Sequence, residues 1–210
     1  MTYHHDREAL SGAAPKLAER FHGIFATETI ERYLHESYDL LAATSRINTY
    51  LPLLAERFAT DRLRALARTQ GDIVSDTPEI LVVCTHNAGR SVAARVLLDH
   101  HGRGRVTVRS AGSAPGDAIN PAVAEILTER GLDVSKEFPK PLTDEAARAA
   151  DVIITMGCGD ACPVFPGKRY LDWDLTDPSG KSVDEVRPIV DDIERRAKEL
   201  LAELLAVTGP

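Results

Sequence analysis

The most constraining feature of this chain is an eight-residue loop, Cys84-Thr85-His86-Asn87-Ala88-Gly89-Arg90-Ser91, and what lies on either side of it. Before it runs Glu79-Ile80-Leu81-Val82-Val83-Cys84. After it, from Arg90 to His101, Val92, Val96 and Leu97 recur on one face. A short unbroken apolar run is the pattern of a strand buried on both sides, and a 3.6-residue period is the pattern of a helix. The order repeats downstream. Arg105 to Arg109 is β-like, Pro121 to Arg130 is helical with Pro at its start and Gly131 at its end, and Asp151 to Thr155 is another buried strand. A long closing helix, Asp184 to Val207, carries Val190, Ile193, Leu200, Leu201 and Leu204. Strands alternating with helices predict an α/β fold, an open and mainly parallel sheet with helices on both faces.

The upstream part reads differently. Gly, Asp, Ser and Pro cluster in Gly71-Asp72-Ile73-Val74-Ser75-Asp76-Thr77-Pro78, which places a domain boundary there: residues 1–76 before it, 77–210 after it. Thr27 reads as an N-cap with Ile30, Leu34, Tyr38 and Leu41 behind it. Leu54 and Phe58 are one helical turn apart, and Thr60-Asp61 reads as a further helix start. A small all-α bundle of about three short helices is the expectation. Its apolar stripes (Leu34, Leu41, Leu54, Phe58) look too few for an independent core, so they predict packing against a second copy or the catalytic domain.

Charge and cysteine usage exclude several function classes. The formal net charge is -7, and residues 1–78 hold nine Lys and Arg against eleven Asp and Glu, a net of -2. A nucleic-acid reader usually shows a basic face, so neither nucleic-acid binding nor a thiol-based sensor that contacts DNA is expected. No apolar stretch approaches the roughly 18 residues of a membrane span, and the first ten residues have no signal-peptide core. Three cysteines are an odd number, too few for a secreted disulfide framework. Reduced thiols in the cytoplasm are the expectation.

The loop itself carries chemistry. Seven residues folded over a helix N-terminus aim several backbone N–H groups into one cradle, the helix dipole adds positive potential, and Arg90 supplies a planar two-pronged grip on a tetrahedral oxyanion. The same field favours the thiolate of Cys84, and Ser91 can hold that thiolate through its hydroxyl. A lone cysteine at a strand end is more often buried and inert. The complete Cys-x5-Arg loop between strand and helix reverses that weighting. Asn87 and Gly89 fit an ordinary turn, but here they also supply the left-handed or close-approach backbone that a cradle needs.

Two further features matter only in combination with the loop. Displacing oxygen from an oxyanion needs a proton donor, and Asp177, in Asp177-Pro178, is the candidate; alone, Asp-Pro is a turn. Cys158-Gly159-Asp160-Ala161-Cys162 follows the third strand candidate, at the sheet edge where Cys84 is also expected. Three thiols are enough for a relay in which one attacks substrate and two collect oxidising equivalents. The competing reading is a zinc clip, but two cysteines without a neighbouring His or third Cys make a poor one, and no metal is expected.

With these residues in place, residues 79–208 resemble the arsenate reductases that share the low-molecular-weight tyrosine-phosphatase fold. The matching motifs are the run from Val83 to Ser91, Arg109-Ser110-Ala111-Gly112-Ser113, Asn120-Pro121, Met156 to Pro163, and Asp177-Pro178. The resemblance implies a four-stranded sheet. It also implies an oxyanion loop of Thr85, His86, Asn87, Ala88, Gly89, Arg90 and Ser91. Cys84 is then the nucleophile, Arg90 the clamp, Asn87 and Ser91 the loop and thiolate stabilisers, Asp177 the general acid, and Cys158 and Cys162 the relay. It further implies arsenate as substrate and thioredoxin or a low-molecular-weight thiol of the mycothiol or glutathione type as reductant, with no bound cofactor. Some relatives place a glutamate for bound potassium eleven residues after the nucleophile; Arg95 stands there in this chain, so that ion is not expected. The upstream helices look similar to an appendage of some members, and a homodimer through them is expected. The nearest alternative, a low-molecular-weight protein-tyrosine phosphatase, would use Cys84, Arg90 and Asp177 but not Cys158 or Cys162. It also wants an aromatic wall beside the acid, where this chain has Ser179-Gly180-Lys181.

Overall fold

The structure, a computed structural model, describes residues 2–44, 50–157 and 164–207. It divides into two compact units, residues 1–74 and 75–210.

The first unit has three helices, α1 (Thr2–Arg20), α2 (Thr27–Ala42) and α3 (Leu51–Gln70). The two short helices expected around Phe58 and after Thr60 are one. Thr60 does not cap a helix start; its hydroxyl donates to the Glu56 carbonyl one turn back (2.8 Å), which satisfies it in mid-helix. Thr27 is also not a cap: it is the first helical residue, after Ala26, and no side chain closes that end. Helix α1 was not legible because Gly12 and Pro15 lower helix propensity. Burial overrides propensity here, since Leu10, Ala13, Ala14, Leu17 and Phe21 form one buried stripe. Leu34, Leu41 and Phe58 are likewise buried, and Leu54 is half-buried. Arg62 is buried with them, donating to Ser37 Oγ and to Glu36 and lying 4.6 Å from the centre of the Tyr33 ring.

The second unit holds β1 (Glu79–Cys84), α4 (Arg90–Gly102), β2 (Thr107–Gly112), α5 (Pro121–Glu129), α6 (Asp144–Ala149), β3 (Val152–Met156), β4 (Arg169–Asp172) and α7 (Val183–Val207). All four strands are parallel, in the order β2-β1-β3-β4, with Cys84 level with Gly112 on one side and Met156 on the other. β1 is buried along its whole length, and its side chains alternate between two cores. Ile80, Val82 and Cys84 pack with residues of α4, α5 and α7; Leu81 and Val83 pack with Ala147, Ala150 and Ile153. β2 starts two residues later than expected because Arg105 closes a turn onto the Gly102 carbonyl, and pairing begins at Thr107 opposite Glu79. β4 and α6 left no pattern in the sequence: one is a half-exposed edge strand of four residues, the other a helix of six.

Helix α7 begins with a capping box. Ser182 and Glu185 exchange bonds through Glu185 N–H to Ser182 Oγ and Ser182 N–H to Glu185 Oε2. Farther along α7, Glu194 bonds Lys198, His101 and Arg130, and the Lys198 ammonium leads in holding its carboxyl below the usual carboxylate range.

This topology places the site. From β1 the chain runs outward to β2, then crosses back over β1 to β3, so the loops after β1 and β3 leave the same sheet edge in different directions. The crevice at such a reversal, at the C-terminal ends of the strands, is where open α/β sheets bind ligands. The loop starting at Cys84 lies there.

Candidate active site

The anion loop is shaped by the segment running beside it. Four loop carbonyls, those of Cys84, Thr85, His86 and Ala88, accept N–H bonds from Ser113, Ala114, Gly116 and Asn120 at 2.8 to 3.1 Å. In a trans peptide the N–H points opposite to the preceding C=O. Carbonyls turned outward therefore turn the N–H groups of Thr85, His86, Asn87 and Gly89 toward the interior of the loop. One of them is already engaged: Asn87 N–H donates to Cys84 Sγ at 3.2 Å. Helix α4 begins at Arg90, directly after Gly89, and adds its N-terminal dipole to the same point.

Asn87 makes the bend with φ of 47°, the left-handed region that Asn tolerates better than most residues. Its side chain is buried and its orientation is fixed by its partners. Oδ1 accepts the Lys140 N–H (2.9 Å), so Nδ2 donates to Ser91 Oγ (2.9 Å). That leaves the Ser91 hydroxyl hydrogen for Cys84 Sγ, 3.0 Å away. Cys84 is 2% exposed and is a free thiol. The sulfur thus receives an amide N–H and a hydroxyl at the N-terminus of α4.

Across the crevice, Arg90 is almost fully buried. Its Nη1 donates to the Leu175 carbonyl (3.2 Å) and its Nη2 pairs with Asp177 Oδ2 (3.3 Å). Asp177 is about half exposed, and its Oδ1 accepts the Ser179 N–H at 3.0 Å. Thr85 Oγ1 donates to the Gly157 carbonyl (3.1 Å), which ties the anion loop to the end of β3. Arg90, Asp177 and the loop that carries Cys84 and Ser91 thus lie together at this crevice. Cys158 and Cys162 lie outside the described residues. Arg95 pairs with the buried carboxylate of Glu137, and no cluster suited to a metal ion occurs among the described residues.

Sequence reasoning missed the supports. Gly112, Asn120, Lys140 and Leu175 all hold the loop or its partners, three of them through backbone groups that carry no residue-type signature. Gly112 is the tightest. A Cβ there would lie 2.8 Å from the Thr85 carbonyl oxygen and 3.0 Å from both Asn87 N and His86 C. Only a residue without Cβ lets β2 lie this close beneath the loop. Gly112→Ala is expected to cost about 1 to 3 kcal/mol of stability, as overpacking does, and to weaken binding of sulfate or arsenate. Thermal unfolding and calorimetric titration check this; unchanged sulfate affinity would mean that the loop tolerates displacement.

Comparisons with known proteins match both units. Residues 10–67 match the family described as protein-tyrosine-phosphatase-like, N-terminal domain. Residues 79–207 match the family described as low molecular weight phosphotyrosine protein phosphatase. A solved structure of a thioredoxin-dependent arsenate reductase from Corynebacterium glutamicum is similar over both units, with 48% identity, 94% of this chain and 97% of that chain covered, and a TM-score of 0.84. An arsenate reductase from Archaeoglobus fulgidus is 31% identical, covering 59% of this chain and 98% of its own, with a TM-score of 0.51. A glutaredoxin arsenate reductase from Synechocystis is 28% identical over 60% of this chain and 98% of its own length. The last two coverages leave about two fifths of the chain unmatched, whereas the Corynebacterium structure spans nearly all of it.

Proposed function

This chain belongs to the arsenate reductases of the low molecular weight phosphotyrosine protein phosphatase family, and we propose that it reduces arsenate to arsenite through Cys84, with thioredoxin as the reductant. The observation that carries the residue assignment is the convergence at one sulfur. Cys84 Sγ receives the Asn87 N–H and the Ser91 hydroxyl at a helix N-terminus, while Arg90 and Asp177 meet across the same crevice.

Arsenate enters the cradle, where inward N–H groups and the Arg90 guanidinium take its charge. The Cys84 thiolate attacks arsenic, and Asp177 gives a proton to the departing oxygen, which leaves as water. The product is a Cys84 sulfur–arsenic(V) adduct. Cys158 then attacks Cys84 Sγ; the sulfur–arsenic bonding pair stays on arsenic, which leaves as arsenite, two electrons richer, and a Cys84–Cys158 disulfide remains. Cys162 attacks Cys158, freeing Cys84 and leaving a Cys158–Cys162 disulfide for thioredoxin. A mechanism that works by reduced thiols suits a reducing compartment, the cytoplasm. No described helix is long and apolar enough to cross a membrane.

A phosphatase would share the first step and then hydrolyse its adduct, so the test is what happens to the thiols. After one turnover with arsenate and no added reductant, mass spectrometry of the wild-type protein is expected to find an intramolecular Cys158–Cys162 disulfide and stoichiometric arsenite. Cys162→Ser is expected to be trapped as Cys84–Cys158. Should Cys158→Ser and Cys162→Ser both turn over at wild-type rates with a small thiol while thioredoxin supports none, the relay is wrong and Cys84 works with the small thiol alone.

A further inference from the structure

We infer that Asn120 is a positioning residue that fixes how Asp177 sits over the anion loop. The inference rests on Asp177 being the proton donor, and it is carried by bonds from one residue to three different parts of the site. The Asn120 backbone N–H donates to the Ala88 carbonyl inside the anion loop at 2.8 Å. Its side-chain Oδ1 accepts the Val123 N–H at 3.1 Å, which caps α5. Its side-chain Nδ2 donates to the carbonyl of Pro178, the residue after Asp177, at 3.2 Å.

These bonds are mutually exclusive in their roles, which is what makes Asn fit. The Val123 N–H needs an acceptor and the Pro178 carbonyl needs a donor, so an amide is used in both directions with its orientation fixed. Helix α5 then serves as the rigid mount. Pro121 at its first position presets the helical φ, and the Asn120 backbone is held to the loop that carries Cys84. One residue thereby links the loop that carries Cys84 to the loop that carries Asp177.

Contact at Gly89 shows how close the two loops lie. A Cβ on Gly89 would be 2.6 Å from Pro178 Cγ and 3.9 Å from Asn120 Cβ. Asp177 itself is about half exposed, held by Arg90 and by the Ser179 N–H. The Arg90 contact must be shared once an anion occupies the clamp. Asn120 is the support that an incoming anion does not compete for, because it acts on the Pro178 backbone and not on a carboxylate oxygen. Misplacing a reacting group by about 1 Å can cost about a hundredfold in rate.

The test uses the full chain and arsenite formed in a single turnover without reductant, over a pH series. Asn120→Asp keeps an oxygen to cap α5 but, ionised, has no donor for the Pro178 carbonyl, and Asn120→Ser keeps a capping oxygen but has no atom at the position of Nδ2, so its hydroxyl falls short of that carbonyl. Asn120→Ser is expected to slow arsenite formation at least about tenfold, to change sulfate affinity less than about twofold, and to blunt the limb of the pH profile that Asp177→Asn removes. In an Asp177→Asn background the same substitution should slow the reaction little further, because the two residues act through one step. Asn120→Asp should show the same slowing, with weaker sulfate binding from its added charge. A wild-type rate in Asn120→Ser, or equal slowing in both backgrounds, overturns the inference and leaves Asn120 as a helix cap. A wild-type rate in Asp177→Asn instead removes the proton-donor reading, and this inference with it, by a separate and recognisable result.

Discussion

Cys84→Ser is expected to lower arsenate reduction by at least about a thousandfold, because a hydroxyl at its ordinary pKa is a poor nucleophile. The structure sharpens what should survive. Serine keeps the loop's backbone, and the Asn87 N–H and Ser91 hydroxyl can bond an oxygen as they do the sulfur. Sulfate and arsenate should therefore still bind, with affinity within about tenfold of wild type, which is about 1.4 kcal/mol. The combination of retained binding and lost chemistry is the signature of a nucleophile. Quenched single-turnover measurement of arsenite, beside calorimetric titration with sulfate, reads both quantities. Residual turnover within tenfold of wild type would sink the assignment.

Arg90→Lys is expected to lower kcat/KM by about a hundredfold or more, a loss of about 2.7 kcal/mol in transition-state stabilisation. The guanidinium has several tasks at once. One nitrogen holds the Leu175 carbonyl, another meets Asp177, and a Cβ on Gly157 would come within 2.8 Å of Nη1. A lysine ammonium is a single compact charge on a flexible stem and cannot hold the carbonyl, face the carboxylate and grip two anion oxygens together. Because the side chain is nearly fully buried, water cannot take over the contacts it drops. The defect should appear in both sulfate affinity and rate. If Lys restores ordinary affinity for arsenate or sulfate, the clamp role is wrong.

Much of this was legible in the sequence. β1 was readable from Glu79 to Cys84 because a central parallel strand is buried on both faces and its apolar run is unbroken. α4 and α7 were readable because their apolar stripes are long enough to show a period. The loop between β1 and α4 was readable because its chemistry needs side chains of particular types, Cys, Arg, Ser and Asn, at fixed spacing. Burial that overrides propensity was not readable, as α1 shows with Gly12 and Pro15 inside it. Nor was Thr60, whose hydroxyl is as content bonded one turn back in a helix as it is at a cap. The short edge elements β4 and α6 span too few residues for any period to emerge.

Within the site the division has one physical cause. The sequence by itself singled out the side chains proposed to do the chemistry, since a nucleophile, a clamp and an acid are residue types with few substitutes. It left undecided how they are held, because the holding is done largely by groups that every residue carries. The carbonyls of Leu175 and Pro178, the N–H of Lys140 and the four N–H groups that turn the loop's carbonyls outward have no letter of their own. Asn120 stands between the two cases. Pro121 beside it announced the start of α5, but the Asn120 side-chain bond to a carbonyl 58 residues away exists only once the sheet has brought the loops after β2 and β4 to one edge.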